Sequence, residues 1–148
     1  MTISNDSEFK AALSGLPRAR QRQVAARFAE NVLVLYPDAR VKGAINSAKR
    51  TDITDAELAA AFQSAKTASV ESFTRCGHEC DWNDQAGHFV AEAGLACVQS
   101  AEPGGNPAWD AAMQARMART CETIAIGRGT DNAEAAAQYR ILAEFLNL

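Results

Sequence analysis

The chain has 148 residues, a net charge of −3 and a hydrophobic fraction of 47%. That is enough apolar material for one folded domain with a core, which excludes a disordered tail or linker. The mild acidity argues against a general nucleic-acid binder, and no apolar run is long enough for a membrane-spanning helix.

Alanine dominates the apolar fraction and aromatics are only 7%, which favours closely packed helices over sheet. The charge is uneven. Residues 1–75 hold 11 basic and 8 acidic side chains, and residues 76–148 hold 4 and 10. No N-terminal apolar run marks a signal peptide, so a cytoplasmic location is expected, with Cys76, Cys80, Cys97 and Cys121 reduced.

Residues 1–6 read as a frayed end. Ser7 can cap a short helix to about Leu13, which Gly15 ends. Pro17 suits the first turn of a second helix that runs to about Tyr36. Its buried stripe is Val24, Phe28, Val32 and Leu35, widened by Ala25, Ala29 and Leu33. Arg18, Arg20, Arg22 and Arg27 are scattered around it and read as a solvated surface. Asp38 can cap a helix from Ala39 to Lys49, with Val41, Ala44, Ile45 and Ala48 inward.

Thr54 and Glu57 form a capping box. The helix they open carries Leu58, Ala61, Phe62, Ala65, Ser69 and Phe73 on one side and ends near Arg75. The stretch from Asp81 to Ser100 predicts a central helix capped by Asp81. Trp82, Ala86, Phe89, Val90, Ala93 and Cys97 share one face, while small residues elsewhere let neighbours approach.

Residues 102–107 form a Pro/Gly-rich loop. Pro107 or Ala108 opens the next helix, with Trp109, Met113, Met117, Cys121 and Ile124 as its stripe. Gly127 to Gly129 stop it. Asp131 and Glu134 read as a second capping box, and the last helix buries Ala135, Tyr139, Leu142 and Leu146. The pattern is an all-α single domain, residues 1–148, of six to seven antiparallel helices. It predicts about 60% helix or more, as a bundle or a short solenoid-like array.

Chemistry concentrates around the start of the central helix. Cys76, His78 and Cys80 offer two thiols and an imidazole in one turn, and His88 is a candidate fourth metal ligand. The other reading is a polar turn between helices. Asp84, His88 and Glu92 line one helix edge, as a carboxylate–histidine site or as an exposed i,i+4 charge column. Trp82 is either a core anchor or part of a partner-binding surface. Glu79, Asp81, Asp84, His88 and Glu92 surround it, and an exposed ring within an acidic rim suits a basic protein partner. No Gly-rich phosphate loop in a strand–helix context and no nucleophile–base arrangement occurs, so no catalytic residue and no cofactor is assigned.

Several strings carry a family resemblance. They are Ala25 to Leu35 (AARFAENVLVL), Tyr36-Pro37-Asp38-Ala39-Arg40 leading to Ala44-Ile45, the alanine-spaced middle helices, and Ala135 to Leu146 (AAAQYRILAEFL). The chain resembles the all-helical immunity proteins of bacterial toxin–immunity systems. Where members carry Trp-Gln near the C-terminus this chain has Gln138-Tyr139, and where they carry a Trp after the second helix it has Lys49-Arg50-Thr51. The resemblance implies a non-enzymatic protein that binds and neutralises a cognate toxin. Two alternatives come from other classes: a small metal- or thiol-dependent protein using the Cys76–Cys80 turn, and a structural homodimer or larger homo-oligomer.

Overall fold

The computed structural model describes residues 2–76, 81–100 and 104–147. Seven α-helices occur among them: α1 (Asp6–Ser14), α2 (Arg18–Val32), α3 (Ala39–Lys49), α4 (Asp55–Cys76), α5 (Trp82–Cys97), α6 (Pro107–Ala125) and α7 (Glu134–Leu146). Helix accounts for 78% of the described residues, with no strand among them. A short 3-10 turn, Leu33–Leu35, follows α2.

Local chemistry sets most helix ends. Asp38 accepts the amides of Arg40 and Val41, and Asp81 accepts that of Asp84. Thr54 and Glu57 exchange both bonds of the predicted box. Asn106 accepts the amides of Ala108 and Trp109, with Pro107 in the first turn. At the end of α6 the Arg128 amide reaches Thr123 O and the Gly127 amide reaches Ile124 O. That double bond needs a left-handed residue at Gly127, whose φ is +78°.

Three boundaries differ from the expectation. Residues 2–6 are not frayed: Ile3 is buried in the core, Asn5 caps α1 in place of Ser7, and Asp6 is its first residue. The second helix stops at Val32, and the tighter 3-10 turn carries the chain on to Leu35. α7 starts at Glu134, and Asn132, not Asp131, accepts its first amide.

α5 is the centre of the bundle and packs on α2, α3, α4 and α6. Small residues make this feasible. Gly94 lies against Val41 of α3 and Gly87 against the ring of Tyr36, where a Cβ would come within 2.8 Å and 3.0 Å of those side chains. α2 meets α6 and α7 across the molecule as well as its neighbour α3. An open array touches only sequential neighbours, so the chain closes into a bundle.

The packing corrects several predicted faces. On α6 the buried ridge is Ala108, Ala111, Ala112, Ala115 and Ala118, while Trp109 and Met113 lie at its edge and Met117 is 47% exposed. Alanine wins because it lets helix axes approach. On α7 the inward positions are Glu134, Gln138, Leu142 and Phe145, so only Leu142 of the predicted stripe is fully buried. Phe73 of α4 points out, 69% exposed.

The arginines of α2 are not simply solvated. Arg18 donates to the carbonyls of Gln99, Ser100 and Gly105, and Arg22 to those of Ala48 and Arg50. Those of Gln99, Ser100, Ala48 and Arg50 lie at the ends of α5 and α3, where a cation is favourable, and that of Gly105 lies in the loop before α6. Arg20 reaches Phe145 O at the end of α7 and stacks on the Phe145 ring.

Candidate functional site

The α4–α5 hairpin carries the residues to which the sequence points. Their α4 partners are set by two buried hydroxyls, Ser69 and Ser72. Ser72 Oγ donates to Ser69 O at 2.8 Å and lies 3.0 Å from His88 Nδ1. With its one proton spent, Ser72 Oγ accepts from a protonated Nδ1, and this assigns the His88 tautomer from the network. Ser69 Oγ donates to Glu92 Oε1, and His88 Nε2 lies 3.6 Å from the same oxygen.

His88 and Glu92 are therefore turned toward α4, leaving Asp84 exposed as the outer member of the predicted column. Hydroxyl groups at a helix interface need a polar partner once water is removed, and His88 and Glu92 supply it. The signal was present in the sequence as two serines three apart on the buried side of α4.

A serine, a histidine and a carboxylate side by side in the structure invite a nucleophilic reading. The geometry argues otherwise. Ser72 is buried and its proton is committed to a main-chain carbonyl. The cluster ties α4 to α5.

The hairpin surface is different in character. Trp82 opens α5 and is 44% exposed, so it is not a core anchor. Val70 and Phe73 of α4 are exposed too, and the Phe73 ring packs at 5.7 Å from His88. The Phe89 ring lies at the same distance from the imidazole, tilted to it by 53°. Acidic groups surround this surface: Glu71, Asp81 and Asp84 are exposed and Glu92 is partly so, with Asp81 committed to capping. Arg75 is the exposed cation on the same end of α4, and Glu71 pairs with Arg40 at 2.8 Å. Val70 and Phe73 were not on the predicted surface, because Phe73 fell on the apolar stripe of α4.

His78, Glu79, Cys80 and the side chain of Cys76 lie outside the described residues. Within them, no group of three His, Cys, Asp or Glu side chains is arranged to hold a metal. His88, the candidate fourth ligand, has Nδ1 engaged by Ser72. Cys97 and Cys121 are buried, and burial pushes both thiols up from their ordinary value, so neither is a ready thiolate. Among the described residues no helix is long and apolar enough to cross a membrane.

Comparison with protein-family models, with curated proteins and with solved structures finds no match to this chain.

Proposed function

We propose that this chain acts by binding another protein, through the exposed surface of the α4–α5 hairpin. The observation that carries the reading is the exposure of two large aromatic side chains, Phe73 and Trp82, on a molecule whose other rings are at least partly buried. Exposed aromatic side chains supply most of the area that becomes hot-spot energy in a complex. The exposed carboxylate of Asp84, two residues from Trp82, suits a basic partner, whose encounter it would speed.

The resemblance to immunity proteins gives this partner a form: a toxin with a positively charged active surface, of the kind that acts on nucleic acid. The fold is compatible with that role, since a bundle held by caps and inter-helix clamps presents a rigid face. The mode is blockade by surface complementarity, and it uses no chemistry of the chain itself.

The test is a calorimetric titration of this protein against the product of the gene that adjoins its own. A saturable one-to-one complex is expected. The double substitution Phe73→Ala with Trp82→Ala should weaken it by about a hundredfold, the loss of two hot-spot rings of roughly 1–2 kcal/mol each. Asp84→Lys should slow association and flatten its salt dependence. No complex, or one that ignores all three substitutions, would overturn the reading.

A further inference from the structure

α2 and α4 both pack on α3 and α5, and the space left between their N-terminal halves is a cavity of about 680 Å³. Small-molecule sites fall in roughly this range, about 300–1,000 Å³. The α2 wall carries Arg18 and Arg22, one helical turn apart. The α4 wall carries Asp55, Leu58 and Phe62, and Val98 at the end of α5 adds to the apolar surface.

The two guanidiniums are only partly satisfied. Their bonds go to main-chain carbonyls, and neither has a carboxylate within ion-pair distance among the described residues. Arg18 Nε and Arg22 Nη1 find no acceptor there. Arg20 is satisfied by the Gln23 side chain and the Phe145 carbonyl, while Arg116 and Arg119, likewise partly buried, are paired with acids. Burial without such a partner pulls Arg22 below its ordinary value. Among the described residues the cleft is lined by two cations, Arg18 and Arg22, and one carboxylate, Asp55, an excess of one positive charge beside an apolar wall.

We propose that this cleft binds a small organic monocarboxylate, with its head against Arg18 and Arg22 and its chain along Leu58, Phe62 and Val98. One negative charge matches the excess. A carboxylate has two oxygens and would take one charge-assisted N–H bond from each uncommitted nitrogen, Arg18 Nε and Arg22 Nη1. A second carboxylate at the far end of the ligand would meet Asp55 and be disfavoured. This site is independent of the hairpin surface and does not rest on a protein partner.

The test is a titration of the full ¹⁵N-labelled chain with hexanoate, followed by amide and arginine Nε–Hε shifts. 1-Hexanol and adipate serve as the neutral and doubly charged controls. Saturable shifts at Arg18, Arg22, Leu58, Phe62 and Val98 are expected, with hexanol and adipate each about tenfold weaker or more. Arg18→Gln should weaken hexanoate by about tenfold while the amide spectrum stays that of the folded protein. Arg18 and Arg22 both also hold main-chain carbonyls, so the amide spectrum of the variant is the control for a change in fold. Should Arg18→Gln fail to fold, the hexanoate-to-hexanol ratio on the native chain decides. Equal binding of acid and alcohol, shifts centred elsewhere, or no saturable shift at millimolar hexanoate would each overturn the proposal.

Discussion

Gly43 and Gly94 both sit inside helices and differ in what surrounds them. A Cβ at Gly43 would meet nothing within 4 Å, whereas one at Gly94 would come within 2.8 Å of Val41 Cγ1. Val41 is buried and β-branched, so it has little room to rotate away. The same substitution should therefore change sign between them. Gly43→Ala is expected to stabilise by about 0.5–1 kcal/mol, because alanine loses less backbone freedom on folding. Gly94→Ala is expected to destabilise by about 1–3 kcal/mol through overpacking. Urea unfolding of the two variants checks the pair. Trp82 makes a second residue-level contrast. It is exposed, while Trp109 is partly buried with Lys10 4.8 Å from its ring centre. Acrylamide should quench the emission of Trp109→Phe, which retains Trp82, more strongly than that of Trp82→Phe. Equal quenching would contradict the exposed placement on which the partner surface depends.

At the scale of elements, α7 is held by buried polar groups as well as by Leu142 and Phe145. Glu134 accepts from Arg119 Nε at 3.0 Å and from Asn31 Nδ2 at 2.8 Å, joining α6 and α2 to the first turn of α7. Gln138 donates to Ala112 O and accepts from Arg116 Nε. Glu134→Ala leaves Arg119 with Glu122 as its remaining acid and Asn31 Nδ2 without its acceptor, and should cost about 1–3 kcal/mol. Replacing both, Arg119→Met with Glu134→Leu, should recover part of that loss, because the buried carboxylate and its guanidinium are removed together. Chemical unfolding of the single and double variants measures both. α1 is tied in at its first residue. Asp6 accepts both terminal nitrogens of Arg116 at 2.8–2.9 Å and the Tyr139 hydroxyl at 2.7 Å. Those hydrogen bonds, Arg116 foremost, hold its carboxyl below the ordinary aspartate value. A depressed carboxyl contributes stability that is present above the unfolded value of about 3.9 and is lost as pH falls through the folded one. Asp6→Asn should thus lower the melting temperature at pH 7 and narrow its gap to the native chain as pH drops below about 4. A gap that stays constant down to acid pH would show that the carboxyl is not engaged.

On the scale of the whole molecule, closure of the bundle comes from contacts that join distant parts of the chain. Arg18 meets the carbonyl of Ser100, Arg20 that of Phe145, and Arg116 the carboxyl of Asp6. Each puts a cation or a carboxylate where a helix end or a partner charge needs one. The exposed aromatic side chains of Phe73 and Trp82 lie on this scaffold outside its buried core. Changes there should alter binding while leaving the fold in place. Phe73→Ala is expected to shift stability by less than about 0.5 kcal/mol, the usual range for a surface position, whereas Phe28→Ala in the core should cost about 3–5 kcal/mol. Thermal unfolding of the two variants separates a surface held for binding from one needed for packing.

The helices, most of their ends and the closeness of their packing were set by the sequence alone. Asp38, the Thr54–Glu57 box, Asp81 and Gly127 act on amides and carbonyls a few residues away, so their effect is readable from short spacing. Which face of each helix goes inside was decided only in three dimensions. Periodicity marks Trp109, Met113 and Met117 as the stripe of α6 because they are large. The bundle instead buries the alanines beside them, since axes that approach closely gain more contacts than bulky side chains allow. The same logic turns Phe73 outward and seats Glu134 and Gln138 within. The arginines of α2 show the limit most clearly. Their partners are carbonyls, which every residue has, so no pattern of side chains can announce them, and they exist only once α3, α5 and α7 end beside α2.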